Sequence, residues 1–475
     1  MEWYTPIMMR HVHRLVLLGL LLGGAPSVAG ETPSNAWSCS AAFHDMVEKL
    51  EADYIGLRLL GRDGPLSGYE ERKAAFAEKC AAASGETCTK VLGSFLEFLG
   101  DGHLFVFERP EYDAAELAAF TKQARTHRPG RDELVAMLSQ DRAPRGIVGR
   151  WTDGRSEIAI VGTGDRYRAY LLDPRVEGAE TGDLKAEITP TESGFEGTYY
   201  SYEHAPRYVT ARLHKEGTLL SFGAVLWAKL DSRFTRESAM VDPSDPSRPT
   251  LARLNEDTTL LSIPSFLIDY NEFRAFLKKH DKILDGSRNL VIDIRGNTGG
   301  NGIYFPLIEY FADRTLPASQ GLVLASPDTL AYFRNQNARI YARVASNIEN
   351  HMGAIVDGPA YPEKKLKPAR NKIERVAILA DGGCMSAAES FILHARALSS
   401  RVKTFGSPTA GVIDYTSVNA LKLPSGTRNI YFGYPTSTYN KQVPDKGYND
   451  TGIVPDIPID PEVEDKVAFV LGRLE

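Results

Sequence analysis

Three short strings hold residues whose types and order could carry acyl-transfer chemistry. In Val376-Ala377-Ile378-Leu379-Ala380-Asp381-Gly382-Gly383-Cys384-Met385-Ser386-Ala387-Ala388-Glu389, an apolar strand enters a tight turn and Ser386 opens a helix. A hydroxyl exposed at such a turn has free helix amides facing any negative charge that develops beside it. An ordinary N-cap serine fits the same spacing. In Leu290-Val291-Ile292-Asp293-Ile294-Arg295-Gly296-Asn297-Thr298-Gly299-Gly300, an apolar strand opens into a loop whose glycines can bring backbone N–H groups against an oxyanion. The loop lacks the Lys-Ser/Thr ending of a P-loop and the G-x-G-x-x-G of a dinucleotide site. A plain Gly-rich strand-to-helix turn is the bland alternative. Leu99-Gly100-Asp101-Gly102-His103-Leu104 sets a histidine on a turn just past a helix. Neutral imidazole is the commonest general base near neutral pH, and a solvated loop histidine is the alternative there. Cys384 has no cation beside it and reads as a buried thiol. Glu389, one turn past Ser386, reads as a helix-packing or cap partner.

The elements that must position these residues follow from hydrophobic period. Phe43, Met46, Val47, Leu50, Tyr54 and Leu57 recur at helical spacing, as do Val91, Leu92, Phe95, Leu96 and Leu99, so residues 35–135 form an N-terminal helical region carrying His103. From 145 to 232 the period becomes two, with strands at 157–161, 167–172 and 208–213, which predicts an inserted all-β module, a small barrel or sandwich. No acidic pair, histidine cluster or nucleophile signal stands out in that module, and a structural or substrate-gathering role is expected of it. A Pro- and Ser-rich linker, 241–248, leads into alternating strands and helices over 255–462, an α/β core with mostly parallel strands. An insertion at 317–370 carries Leu330, Phe333, Ile340, Val344 and Ile348 as one apolar stripe on a long helix.

Taken in order, these strings resemble the tail-specific, or C-terminal-processing, serine protease family, which includes the tricorn core protease. Thr409-Ala410-Gly411 and Gly452-Ile453-Val454-Pro455-Asp456-Ile457 look like two further markers of it. The resemblance covers about Thr258 to Ile459, together with His103 and its preceding helix. It implies a Clp-protease/crotonase-like core, Ser386 as nucleophile, and an oxyanion hole built by the Gly300 and Ala387 amides. The chain also departs from the family pattern. The processing branch uses a Ser-Lys dyad, but Val412 stands in the lysine's place, no lysine lies between Thr409 and Asn419, and Lys403 and Lys422 fall on predicted strands. The all-β module fills the space where a PDZ module usually lies. The tricorn-like branch uses a histidine base in an Asp-Gly-His type of motif, which His103 matches, although Gly102 stands where that branch has a serine. Its orienting Glu has no counterpart in Tyr448-Asn449-Asp450-Thr451-Gly452, where Asn449 takes the place and Asp450 lies beside it.

The resulting expectation is an exported serine peptidase that forms an acyl-enzyme on Ser386 with His103 as base, its substrates proteins or peptides. A catalytically weak peptide-binding protein on the same fold, or an esterase or amidase, remain open alternatives. At 475 residues the chain is long enough for about three domains. A net charge of −6 excludes a polybasic nucleic-acid binder, and 43% hydrophobic residues exclude wholesale disorder. The ten histidines show no H-x-x-x-H or H-E-x-x-H arrangement, which disfavours a metal hydrolase, and no metal or cofactor is expected. Residues 1–29 read as a signal peptide: Arg10, His11, His13 and Arg14 precede the apolar run Leu15–Leu22 and Ser27-Val28-Ala29 ends it, with cleavage expected after Ala29. No other stretch approaches the length of a membrane helix. A periplasmic or extracellular location follows, and in that setting Cys39, Cys80, Cys88 and Cys384 invite disulfides. One bridge with two buried thiols and two bridges are both open. Substrate sequence and oligomeric state are not written in these residues.

Overall fold

A computed structural model describes residues 38–474 apart from 84, 110, 141–145, 193, 224, 231–240, 337–338, 367–372, 425–428 and 450. The signal segment and Asp450 therefore lie outside the described residues. The N-terminal helical region, the inserted all-β module and the α/β core expected above are all present, and the chain gathers them into two compact units.

The first unit holds the described residues of Met1–Glu111, Ala318–Glu363 and Val412–Asp450. Its helices Cys39–Asp53, Ile55–Leu60, Tyr69–Ala82 and Gly85–Leu96 bury the stripes read from the sequence, with Phe43, Met46, Leu50, Leu92 and Phe95 at or near zero exposure. Cys39 and Cys88 are bridged, whereas Cys80 is a buried thiol pushed up to about 11 by desolvation. The helices share one core with an antiparallel sheet of Phe105–Glu108, Ser319–Leu324, Ile355–Tyr361, Tyr415–Lys422 and Ile430–Thr438. Phe105–Glu108 is a strand inside the span expected to be helical, because its register with Ile430–Gly433 fixes it. The stripe of the 317–370 insertion is divided between two helices, Pro327–Arg334 and Arg339–Glu349, with a turn beginning at Asn335. Leu330, Phe333, Val344 and Ile348 still meet in one cluster.

The second unit holds the described residues of Tyr112–Pro317, Lys364–Gly411 and Thr451–Glu475. Eight antiparallel strands between Gly149 and Lys229 close into a barrel around Trp151, Ile158, Leu171, Ile188 and Trp227. Closure removes the free edges that a short strand set would otherwise expose. A six-stranded sheet follows, in the order 250–253, 258–262, 289–293, 375–380, 402–406 and 457–458. All its neighbours are parallel except the first pair. The central strands Asn289–Asp293 and Arg375–Ala380 are buried almost throughout, as expected of strands covered on both faces. Helices Tyr270–Lys279, Ala387–Leu398 and Lys466–Leu474 flank this sheet's strands in sequence, and Gly296–Gly300 and Asp381–Ser386 lie past the carboxyl ends of two adjacent parallel strands.

Candidate active site

Ser386 leaves the Arg375–Ala380 strand through a turn and precedes helix Ala387–Leu398. Its φ of +54° and ψ of −114° put a non-glycine residue in a region that L side chains rarely occupy. An ordinary N-cap is extended, so the cap reading of this serine does not account for its backbone. Strain of this kind costs roughly 1–3 kcal/mol and persists only where the surroundings enforce it. Here the surroundings are Glu389, which is fully buried. Its Oε2 accepts the Ser386 N–H at 2.9 Å, while Oε1 accepts the Thr409 hydroxyl at 2.5 Å and the Gly411 N–H at 2.8 Å. Thr409 Oγ1 in turn accepts the Ile453 N–H at 2.7 Å. Two strings that looked like separate markers thus meet on one carboxylate and the third joins through Thr409, and Glu389 is the cap partner its spacing suggested.

The glycine loop lies against this turn. A Cβ on Gly299, whose φ is +98°, would stand 2.8 Å from the Met385 carbonyl oxygen, 2.9 Å from Ser386 Cβ and 3.0 Å from the Ala387 nitrogen. Only glycine allows that approach. Asn297 holds the loop's shape: its Oδ1 accepts the Gly299 N–H at 2.9 Å, its Nδ2 donates to the Ile263 carbonyl at 3.0 Å, and its carbonyl accepts the Met385 N–H at 3.1 Å. Asp381 Oδ1 accepts the N–H groups of both Gly296 and Gly383 at 2.9 Å. Among the described residues neither the Gly300 nor the Ala387 N–H donates a hydrogen bond. Gly299 is thus brought against Met385, Ser386 and Ala387, so the half-buried Ser386 has the undonated Ala387 amide next in the chain and the undonated Gly300 amide one residue past the loop contact. Cys384 is not a rival nucleophile. It is fully buried, donates to the Ile294 carbonyl at 3.1 Å, and burial pushes its thiol well above the ordinary range.

Residues 257–459, including this loop and turn, match the family model of peptidase family S41. Those residues are a peptidase family S41 domain. With its S41 domain the chain is a serine-type peptidase whose substrates are proteins or peptides. No curated protein matches the chain in sequence. Similar solved structures include mature CPAF, at 13% identity over 88% of this chain and 92% of that one with a TM-score of 0.43. A lipoprotein from Streptococcus agalactiae aligns at 14% identity over 94% of this chain and 100% of that one, TM-score 0.37. The photosystem II D1 C-terminal processing protease aligns at 14% identity over 90% and 95%, TM-score 0.36.

His103 belongs to the other compact unit. Asp101 Oδ1 accepts the His103 N–H at 2.9 Å, and Asp101 Oδ2 accepts the Tyr54 hydroxyl at 2.8 Å, which pins the turn to the first helices. Burial lifts the Asp101 carboxyl to about 7 despite these two bonds. Burial also pushes the His103 imidazole down to about 4, opposed by a ring hydrogen bond donated to the Tyr415 backbone, and Nδ1 has no partner among the described residues. Asn449 is engaged elsewhere: its N–H donates to Asp414 Oδ2 at 3.0 Å and its Oδ1 accepts the Asp414 N–H at 3.3 Å. Two departures noted in the sequence, Val412 at the lysine place of the processing branch and Gly102 at the serine place of the tricorn-like branch, prove to touch. A Cβ on Gly102 would lie 2.6 Å from Val412 Cγ2, so Val412 fills the space that a side chain at 102 would need. Sequence reasoning missed Tyr54, Asp381 and Asp414, since each acts through a partner dozens of residues away and leaves no local pattern.

Proposed function

We propose that this S41 peptidase is exported, that Ser386 attacks the peptide carbonyl, and that His103 accepts the hydroxyl proton. The Gly300 and Ala387 amides then hold the tetrahedral oxyanion, His103 returns the proton to the leaving amine, and water resolves the acyl-enzyme. The observation that carries the reading is the strained Ser386 turn, packed against a glycine loop with two undonated amides. Such donors act on charge that develops during reaction and cost no reorganisation at that moment. The choice of histidine over lysine rests on Val412 at the dyad position and on His103 in its Asp-Gly-His string. An oxidising compartment, which the Cys39–Cys88 bridge needs to persist, supports export. A fluorophosphonate probe with mapping of the modified residue tests the nucleophile, and labelling at Ser386 is expected. Ser386→Ala or His103→Ala should lower kcat by about 10⁴- to 10⁶-fold on a peptide substrate. Turnover that survives Ser386→Ala removes the assignment.

A further inference from the structure

The all-β module reaches directly into the site through the turn between strands Pro206–His214 and Leu219–Phe222. Lys215 adopts a φ of +50°, is buried completely, and extends Nζ to Ser262 Oγ at 2.7 Å and Asp293 Oδ2 at 3.0 Å. Ser262 and Asp293 are register partners at the carboxyl ends of adjacent parallel strands, and the glycine loop springs from the second. Arg295 completes the cluster, donating its N–H to Asp293 Oδ1 at 3.1 Å, Nε to Oδ1 at 3.0 Å and Nη2 to Oδ2 at 3.0 Å. Burial alone would raise the Asp293 carboxyl, but Arg295 and Lys215 together outweigh it and hold the group at about 2.

Next to it, the His214 imidazole fills the gap behind both catalytic segments. A Cβ on Gly296 would fall 2.7 Å from His214 Cγ, and one on Gly383 would fall 2.7 Å from His214 Nδ1. His214 Nε2 is 3.1 Å from Ser221 Oγ, within the barrel. A lysine and a histidine are poor choices for mere filling. Buried ion pairs are often no more stabilising than apolar side chains of equal volume, and a lysine at positive φ adds strain. What they supply is geometry: two loops whose relative placement must be held to within roughly 0.5 Å lean on one rigid closed barrel.

We infer that the barrel provides two positioning residues to the active site, His214 wedging the Gly296–Gly300 loop and the Gly383 turn, and Lys215 fixing the strand ends beneath them. This rests on the Ser386 reading above. The test uses the full-length protein, comparing kcat, KM and the rate of fluorophosphonate labelling across substitutions. His214→Ala and Lys215→Met should each lower kcat and labelling by on the order of 10²-fold while KM changes little, the usual cost of about 1 Å of misplacement. His214→Gln, which keeps bulk and a group for Ser221, should recover most of that loss. Ile188→Ala in the barrel core should lower the thermal midpoint and leave kcat alone. A reciprocal pair decides independently of whether Lys215→Met folds: Gly383→Ala pushes a methyl into the imidazole and lowers kcat, and adding His214→Ala returns part of it. Unchanged kcat in His214→Ala, equal kcat loss in Ile188→Ala, or strictly additive losses in the pair overturns the inference. Activity surviving Ser386→Ala is a different outcome and overturns the Ser386 reading instead.

Discussion

Asp101 and His103, two residues apart, are held away from their ordinary protonation by the same cause, loss of water, and in opposite directions. Between about pH 4 and 7 the unfolded chain releases the Asp101 proton that the folded chain keeps, so this group makes stability fall as pH rises through that window and levels off above it. The slope is at most about 1.4 kcal/mol per pH unit. Asp101→Asn removes it, and the variant's thermal midpoint should gain on wild type from pH 4 to pH 7; a constant difference argues against a buried acid. His103 works the other way, since the folded chain resists a proton that the unfolded chain accepts below about 6.5. As the proposed base it must be neutral, so the acid limb of kcat/KM should fall nearer pH 4 than pH 6.5. A limb near 6.5 means that the working imidazole is more solvated than the one seen here. The Gly102–Val412 contact makes a steric prediction: Gly102→Ser alone should depress kcat, and Val412→Gly in the same chain should give part of it back. Neither half of that contact carries a sequence signal, because 310 residues separate them.

At the scale of elements, helix Ala387–Leu398 is tied down at its start by Glu389, which binds the Ser386 turn, Thr409 and Gly411 at once. Glu389→Gln leaves an amide where three donors need an acceptor. It should lower unfolding free energy by about 3 kcal/mol, read by chemical denaturation, and should slow Ser386 labelling as the turn relaxes. Unchanged labelling would mean that the strained backbone is kept by something other than this carboxylate. The strand–turn–helix around Ser386 and the glycine loop were legible because their cues are local: an apolar run, glycines, then helical spacing. The barrel's role was not. His214 and Lys215 sit at the end of an ordinary alternating strand, and their partners Asp293, Gly296 and Gly383 come from later elements, so periodicity reports the strand and hides the contact. The insertion's stripe was right in composition and wrong in length, since a turn at Asn335 keeps the apolar face continuous across two helices. Cysteine pairing was likewise open, because spacing does not choose among the partners, whereas helix packing brings Cys39 to Cys88.

For the molecule as a whole, the proposal makes turnover depend on both compact units, one carrying Ser386 and the other His103 and the bridge. The bridge closes a loop of about 50 residues, for which chain-entropy arguments give about 4 kcal/mol of stabilisation. That stabilisation lies in the unit holding His103 and in none of the elements that shape the Ser386 turn. Chain produced in a reducing cytoplasm, with residues 1–29 deleted, should therefore have a lower thermal midpoint than exported chain and regain it on oxidation. Exported chain should begin at Gly30 by N-terminal sequencing. Adding a mild reductant to it should slow Ser386 labelling in step with loss of the bridge, whereas a Cys80→Ala variant should behave as wild type, since that thiol is unbridged. Labelling that stays at full rate with the bridge reduced, at a temperature where the reduced chain has begun to unfold, would separate the serine from the histidine-bearing unit and leave Ser386 in need of another base.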